Sequence, residues 1–224
     1  MADMSRDPLR AIGRLADPVR RRLYDIVASR SQPTSREAAA EEAGIRRSLA
    51  AYHLDKLVAE GLLETSYART GERTGPGAGR TAKLYRRSDA EFSASLPPRD
   101  YERAAELLAA ALAHEPTGAA RTALVDGAYR LGRQTVSAAG GDDADPLVNA
   151  LAATGYEPVC AGVDIRLRNC PFHRLAAQHR DLICGMNVSL VQGMIDALPG
   201  DRRTARLDRG PTGCCVAIAA EPSG

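Results

Sequence analysis

Tryptophan is absent from the 224 residues and phenylalanine occurs only twice, so aromatics make up 4% of the chain. That scarcity accompanies an abundance of Arg and Ala, the bias of a GC-rich coding sequence, and carries no functional signal. No apolar run approaches the ~20 residues that a membrane-spanning helix requires, which excludes such a helix. Met1 to Asp17 is charged and lacks an apolar core, so no secretory leader is expected. Net charge is only +2, so any basic surface must come from local clustering. The first 159 residues contain no cysteine; all five cysteines lie between Cys160 and Cys215. Thiol chemistry is therefore excluded from the N-terminal part and concentrated in the C-terminal part. With a cytoplasmic location expected, free thiols, metal ligands or clusters are favoured over structural disulfides.

The length accommodates one large domain or two small ones. A first helix is predicted from Asp17-Pro18, an N-cap followed by proline at N1, with apolar Val19, Leu23, Ile26 and Val27 on one face. Thr34-Ser35-Arg36-Glu37 has the form of a capping box, with Thr34 as cap, opening a helix that ends at Gly44. A third helix is expected from about Arg46 to Glu60, burying Leu49, Leu54, Leu57 and Val58, with His53 a packed core residue. The short connection at Gly44 suits a helix-turn-helix.

Leu62 to Tyr67 and Lys83 to Arg86 are strand-like, and residues 70–81 between them hold four glycines and a proline. This predicts a β-hairpin with a Gly-rich tip, a wing. Between Thr65 and Ser88 stand Arg69, Arg73, Arg80, Lys83, Arg86 and Arg87 against one acid, Glu72. The basic surface is focused there.

Two helices, then Tyr52-His53-Leu54-Asp55-Lys56-Leu57, Gly61-Leu62-Leu63, the Gly-rich wing and Leu84-Tyr85 follow in an order that resembles ArsR-like winged-helix regulators over roughly residues 10–88. The resemblance implies that the third helix enters the major groove of double-stranded operator DNA, with Arg46, Arg47, Ser48 and Tyr52 as candidate readers. An arginine fork suits guanine O6 and N7. Arg69, Arg73, Arg80 and Lys83 of the wing would contact phosphate or the minor groove, adding affinity and salt dependence more than sequence information.

Pro97-Pro98 closes this module. Helices are expected from Arg99 to about Leu112, from Gly118 to Ala138 and from Pro146 to Thr154. Their small-residue and leucine faces serve either an internal core or a homodimer interface. A homodimer reading a pseudo-palindromic operator is expected.

Beyond residue 155, strands are predicted over Glu157–Ala161 and Asp164–Arg168, helical sequence from Pro171 to Leu198, and strands around Thr204–Leu207 and Cys214–Ala219. The order is ββ-α-ββ, an α+β unit. Thiolates suit iron–sulfur clusters or zinc. One unbroken helix would place Cys170 and Cys184 about 20 Å apart, so a shared site requires a break near His179-Arg180-Asp181, with Asp181 as cap and Cys184 in the first turn. Consecutive strand residues point to opposite faces, so only one of Cys214 and Cys215 should join, and Cys214 is the choice. Cys160 and Cys215 are expected to be small hydrophobes.

Cys170-Pro171-Phe172 with a downstream His, Cys184, and Cys214-Cys215-Val216 is similar to the iron–sulfur-sensing repressors of the SUF operon and their actinobacterial relatives. The resemblance implies a cluster held by Cys170, Cys184 and Cys214. The fourth ligand stays open among His173, His179, Asp164 and a small molecule. One departure from the family is the lack of a proline at the helix break. Zinc on three cysteines and a histidine, a metal-free thiol switch, and an organic effector in a C-terminal pocket are the competing readings. An enzyme with Cys170 as nucleophile lacks an orienting carboxylate and leaves the winged helix unexplained. The expected organisation is a winged-helix domain at 1–96, a helical dimerisation region at 97–154 and a cysteine-rich α+β sensor at 155–224, forming a repressor and not an enzyme.

Overall fold

The computed structural model describes residues 7–68, 82–95, 97, 99–138, 145–162, 164–208 and 213–220. The chain divides into two compact units, 1–99 and 100–224.

In the first unit, α1 (Pro8–Arg14) and α2 (Pro18–Ala28) each begin with an aspartate cap followed by proline. Asp17 accepts from the Arg20 backbone N–H at 3.0 Å, satisfying one of the orphan donors of α2. Strand β1 (Thr34–Ser35) leads directly into α3 (Arg36–Ala43). The cap of α3 is Ser35, whose Oγ accepts from the Ala38 N–H at 3.2 Å, not Thr34 as the capping box predicted. Thr34 is taken by the sheet instead, paired with Tyr85.

Gly44 adopts φ +65°, closing α3 so tightly that α4 (Arg47–Ala59) starts three residues later. Ala39, Ala40 and Ala43 let the neighbouring helices pack closely over Leu23, Leu54 and Leu57. His53 is buried as expected, but Leu49 is 42% exposed and Val58 only half-buried. Ala50 takes the inward position that Leu49 was assigned. Strands β2 (Leu63–Ala68) and β3 (Ala82–Arg87) pair antiparallel, Leu63 opposite Arg87 and Ala68 opposite Ala82, giving the order β1-β3-β2. The expected wing tip, 70–81, lies outside the described residues.

The second unit contains α5 (Tyr101–Ala113), α6 (Ala119–Ala138), α7 (Pro146–Ala153), β4 (Pro158–Ala161), β5 (Asp164–Leu167), α8 (His173–Gln178), α9 (Arg180–Asp196), β6 (Arg203–Leu207) and β7 (Val216–Ala220). The strands form one antiparallel sheet in the order β4-β5-β7-β6. Helix α6 lies against α9 through two glycines. A Cβ on Gly132 would meet the Leu190 carbonyl oxygen at 2.0 Å, and one on Gly193 would meet that of Tyr129 at 2.1 Å. Polar contacts flank the crossing: Ser189 Oγ donates to the Val125 carbonyl at 2.9 Å and Tyr129 Oη to Asp196 Oδ2 at 2.8 Å. Arg203, at the start of β6, bridges Asp145 and Asp201 at 3.0 and 2.9 Å, tying the sheet edge to the cap of α7.

Candidate functional site

The residues expected to read DNA lie on or just before α4. Its inward residues are Ala50, His53, Leu54 and Leu57, so helical geometry turns Ser48, Tyr52 and Asp55 outward. Arg46 stands at the N-cap without a side-chain capping bond, and Arg46, Arg47, Ser48 and Tyr52 are all exposed. Arg47 Nη2 is engaged by Glu37 Oε1 of α3 at 2.7 Å. The Lys56 ammonium lies 5.7 Å from the centre of the Tyr52 ring, a cation–π contact that steadies the phenol on the outer face.

Lys83 has a partner within the protein. Its Nζ lies 2.6 Å from Asp55 Oδ1, and the same oxygen accepts from Tyr85 Oη at 3.0 Å. Lys83 therefore fastens β3 to α4. Arg86 pairs with Glu64 at 2.8 Å. Arg69, Arg73 and Arg80 lie outside the described residues.

Burial works to raise the Asp55 pKa, but the hydrogen bonds from Lys83 and Tyr85 outweigh it and hold the carboxyl below its usual 3.8. Tyr85 is fully buried, and burial together with Asp55 pushes its hydroxyl up. A depressed carboxylate stabilises the fold above its unfolded pKa and loses that contribution as pH falls through the folded value. The reader should thus weaken below about pH 4. Asp55→Ala leaves the buried Tyr85 hydroxyl without its acceptor and should cost about 1–3 kcal/mol. The measurement is urea unfolding at pH 7 and pH 3, where the gap between wild type and variant should narrow at the lower pH. An equal gap at both would remove Asp55 as the hub.

The second cluster joins three segments. Cys170 precedes α8 in a loop held by Asn169, whose Oδ1 accepts from the Glu157 N–H at 2.6 Å and whose Nδ2 donates to the Gly155 carbonyl at 2.8 Å. Cys184 is buried on α9. Cys214 and Cys215 stand just before β7, and the Cys214 N–H donates to the Leu167 carbonyl at 2.9 Å. Gly213 makes this approach possible: at φ +88°, any Cβ there would meet the Leu167 oxygen at 2.8 Å.

The helix break that the shared site required is present. Residue His179 separates α8 from α9 with φ −123° and ψ 49°. No proline is needed, because the His179 ring is held by Glu106 Oε1 of α5 at 2.8 Å. The break falls slightly earlier than expected: His179 holds the cap position, Asp181 lies inside the first turn, and Cys184 is the fifth residue of α9.

Cys170, Cys184 and Cys215 border one cavity of about 250 Å³ with His173, Ala176 and Arg180. The Cys170 thiol interacts with that of Cys214, and the Cys184 thiol with that of Cys215. The strand argument that separated Cys214 from Cys215 fails, since both precede β7 and strand alternation does not apply to them. Cys160, expected to be buried, is exposed on β4. Of the other candidate ligands only His173 borders the cavity; Asp164 accepts from the Ala220 N–H at 3.4 Å.

The hydrogen bond from Cys214 lowers the Cys170 pKa against the opposing effect of burial. Donating that bond, together with burial, raises Cys214. Burial first, then the contact with Cys215, pushes Cys184 up to about 12. Asn187 of α9, completely buried, aims Nδ2 at Cys214 Sγ (3.4 Å) and Cys170 Sγ (3.9 Å), while its Oδ1 accepts from Tyr156 Oη. Sequence reading missed Asn187 and Cys215. The signal for Asn187 was a lone amide on a helix face otherwise formed by Ile183, Leu190, Val191 and Met194. Among the described residues no group of three or more Cys, His, Asp or Glu side chains is gathered as for one metal ion. The thiols interact as two pairs, Cys170 with Cys214 and Cys184 with Cys215.

A family model described as a helix-turn-helix domain matches residues 15–66, the span of α2, α3 and α4 up to the first residues of β2. No curated protein and no solved structure matches the chain. The match supports a DNA-binding regulator rather than an enzyme. Among the described residues, no helix is long and apolar enough to cross a membrane.

Proposed function

We propose that this protein is a transcriptional repressor whose grip on a double-stranded, pseudo-palindromic operator is controlled by an iron–sulfur cluster held by Cys170, Cys184 and Cys214. The observation that supports this reading is the convergence of Cys170, Cys184 and Cys215, from three distant segments, on one cavity, with the buried Asn187 amide donating toward Cys170 and the adjoining Cys214. Four soft donors suit iron–sulfur ligation. Cys215, beside Cys184, and His173 are the candidates for the remaining position. When bound, the cluster supplies electron transfer and sensitivity to oxidants.

The protein's own residues supply the coupling. Helix α9 carries Cys184 and Asn187 and packs on α6. Helix α8, one wall of the cavity, is tied to α5 by Arg174–Glu102 at 2.6 Å and His179–Glu106 at 2.8 Å. A change in the cavity alters contacts along α5 and α6, where Leu107, Leu108 and Leu131 are more than half exposed and support homodimer formation. Two readers in a dimer then meet half-sites about 34–36 Å apart. Control requires the cluster to differ in free energy between two arrangements of the dimer.

The paired thiols also favour a second reading, a metal-free switch in which Cys170–Cys214 and Cys184–Cys215 oxidise to disulfides. Anaerobic purification with visible absorption and iron, sulfide and zinc analysis decides between them. Iron and sulfide together with a coloured protein support the cluster; a colourless, metal-free protein with titratable thiols supports the switch. Stoichiometric zinc sinks both.

For the reader, Arg46→Ala should weaken operator binding by about 1–3 kcal/mol if its fork reads a guanine. Arg47→Ala should cost less, because Glu37 already holds that guanidinium. Binding titrations on a selected operator test the ranking, and equal losses would contradict it.

A further inference from the structure

Asn187 and Tyr156 form a polar pair inside an apolar core. Asn187 is 0% and Tyr156 3% exposed, and Leu147, Leu151, Ile165, Val191 and Val216 belong to the same core. An unpartnered polar group in such a place is costly, and a leucine at 187 would need no partner at all. The amide is nonetheless there and its orientation is fixed. Tyr156 follows α7, its N–H donating to the Leu151 carbonyl at 3.1 Å, and its hydroxyl donates to Asn187 Oδ1. That bond turns Nδ2 toward Cys214 at 3.4 Å and Cys170 at 3.9 Å. One amide thus stands between two sulfurs that are 44 positions apart in the chain (170 to 214).

We propose that Asn187, aimed by Tyr156, is a positioning residue that holds the Cys170 and Cys214 sulfurs together and sets the potential at which they respond. An N–H donor stabilises sulfur that carries more negative charge. It therefore favours the reduced state, whether the sulfurs are free or ligated, and hydrogen bonds to sulfur are an established lever on potential. Tyr156 acts one step behind, by preventing the amide from rotating away. The inference rests on the reading of the cysteine cavity as the responsive site, but its test does not require a cluster.

The test uses the full chain, stripped of metal and equilibrated anaerobically with mixtures of reduced and oxidised glutathione. In the step observed, Cys170 and Cys214 thiols lose two electrons and two protons to one glutathione disulfide, forming one protein disulfide and two glutathione thiols. Alkylation followed by mass spectrometry counts the bridge. Asn187→Leu should move the midpoint about tenfold in the glutathione ratio toward easier oxidation, equivalent to ~30 mV. Tyr156→Phe keeps the ring in place and should shift it in the same direction by a smaller factor, which covers the case in which the leucine variant misfolds. Midpoints within about twofold of wild type in folded variants would overturn the proposal. So would failure of wild-type Cys170 and Cys214 to bridge at any ratio, because the two sulfurs would then not be held together. Iron and sulfide analysis of the untreated protein judges the cluster reading separately.

Discussion

Gly193→Ala is expected to cost the C-terminal unit about 3 kcal/mol or more, at or beyond the upper end of overpacking penalties. The added methyl would lie 2.1 Å from the Tyr129 carbonyl oxygen, 2.9 Å from its carbon and 3.2 Å from the Arg133 nitrogen. These are backbone atoms of α6, so no rotamer change relieves the contact and the two helices must part. Separation also strains the Ser189–Val125 and Tyr129–Asp196 hydrogen bonds that flank the crossing. Gly185→Ala on the same helix is the control. A Cβ there meets nothing within 4 Å, and replacing glycine within a helix should add up to about 1 kcal/mol of stability. Thermal unfolding with hydrogen exchange on α6 and α9 measures both. A Gly193→Ala protein that melts like wild type would mean that α6 and α9 do not cross at this distance.

The joint change Cys170→Ser and Cys214→Ser should lower the iron and sulfide content of the anaerobically isolated protein by more than the roughly 10–100-fold affinity loss of outer-shell changes. Both residues would be direct donors, and hydroxyl oxygen is a poor substitute for thiolate with iron. Operator binding should settle at the level of the cluster-free wild type and no longer respond to oxidants, while the fold of residues 15–66, where the helix-turn-helix match lies and neither cysteine stands, is kept. Cys160→Ser is the matched control, exposed on β4 and outside the set that borders the cavity. Iron retained at wild-type level in the double variant would sink the ligand assignment. Loss of iron in Cys160→Ser as well would point to a general effect of thiol removal.

Local signals in the chain were sufficient wherever one short segment decides its own structure. Asp17-Pro18 marks the start of α2 and Gly44 the turn before α4 because capping and a left-handed φ are chosen within a few residues. The strands flanking residues 70–81 were legible for the same reason. Thr34 was misread because its pairing with Tyr85 lies 51 positions away (34 to 85), and a long-range sheet bond overrode a local capping preference. Leu49 was misread because apolar character alone does not fix helix phase. Ala50, smaller but on the inward face, is the residue that α3 and α4 bury between them.

The cysteine cavity divides in the same way. Clustering of all five cysteines after residue 159, and the need for a break near residue 180 if Cys170 and Cys184 were to meet, follow from the sequence and from the rise of a helix. Which sulfurs face one another did not follow. Cys215 joined and Cys160 stayed outside because β7 begins only at Val216 and Gly213 brings the preceding loop against Leu167. Asn187 acquired its role only when Tyr156, Cys170 and Cys214 were brought around it from three other segments. The chain by itself determined where the helix-turn-helix and the thiols lie, since caps, turns and composition act over a few residues. Only the tertiary structure decided which side chains share the cavity and which cation is already paired, because those contacts depend on packing between distant segments.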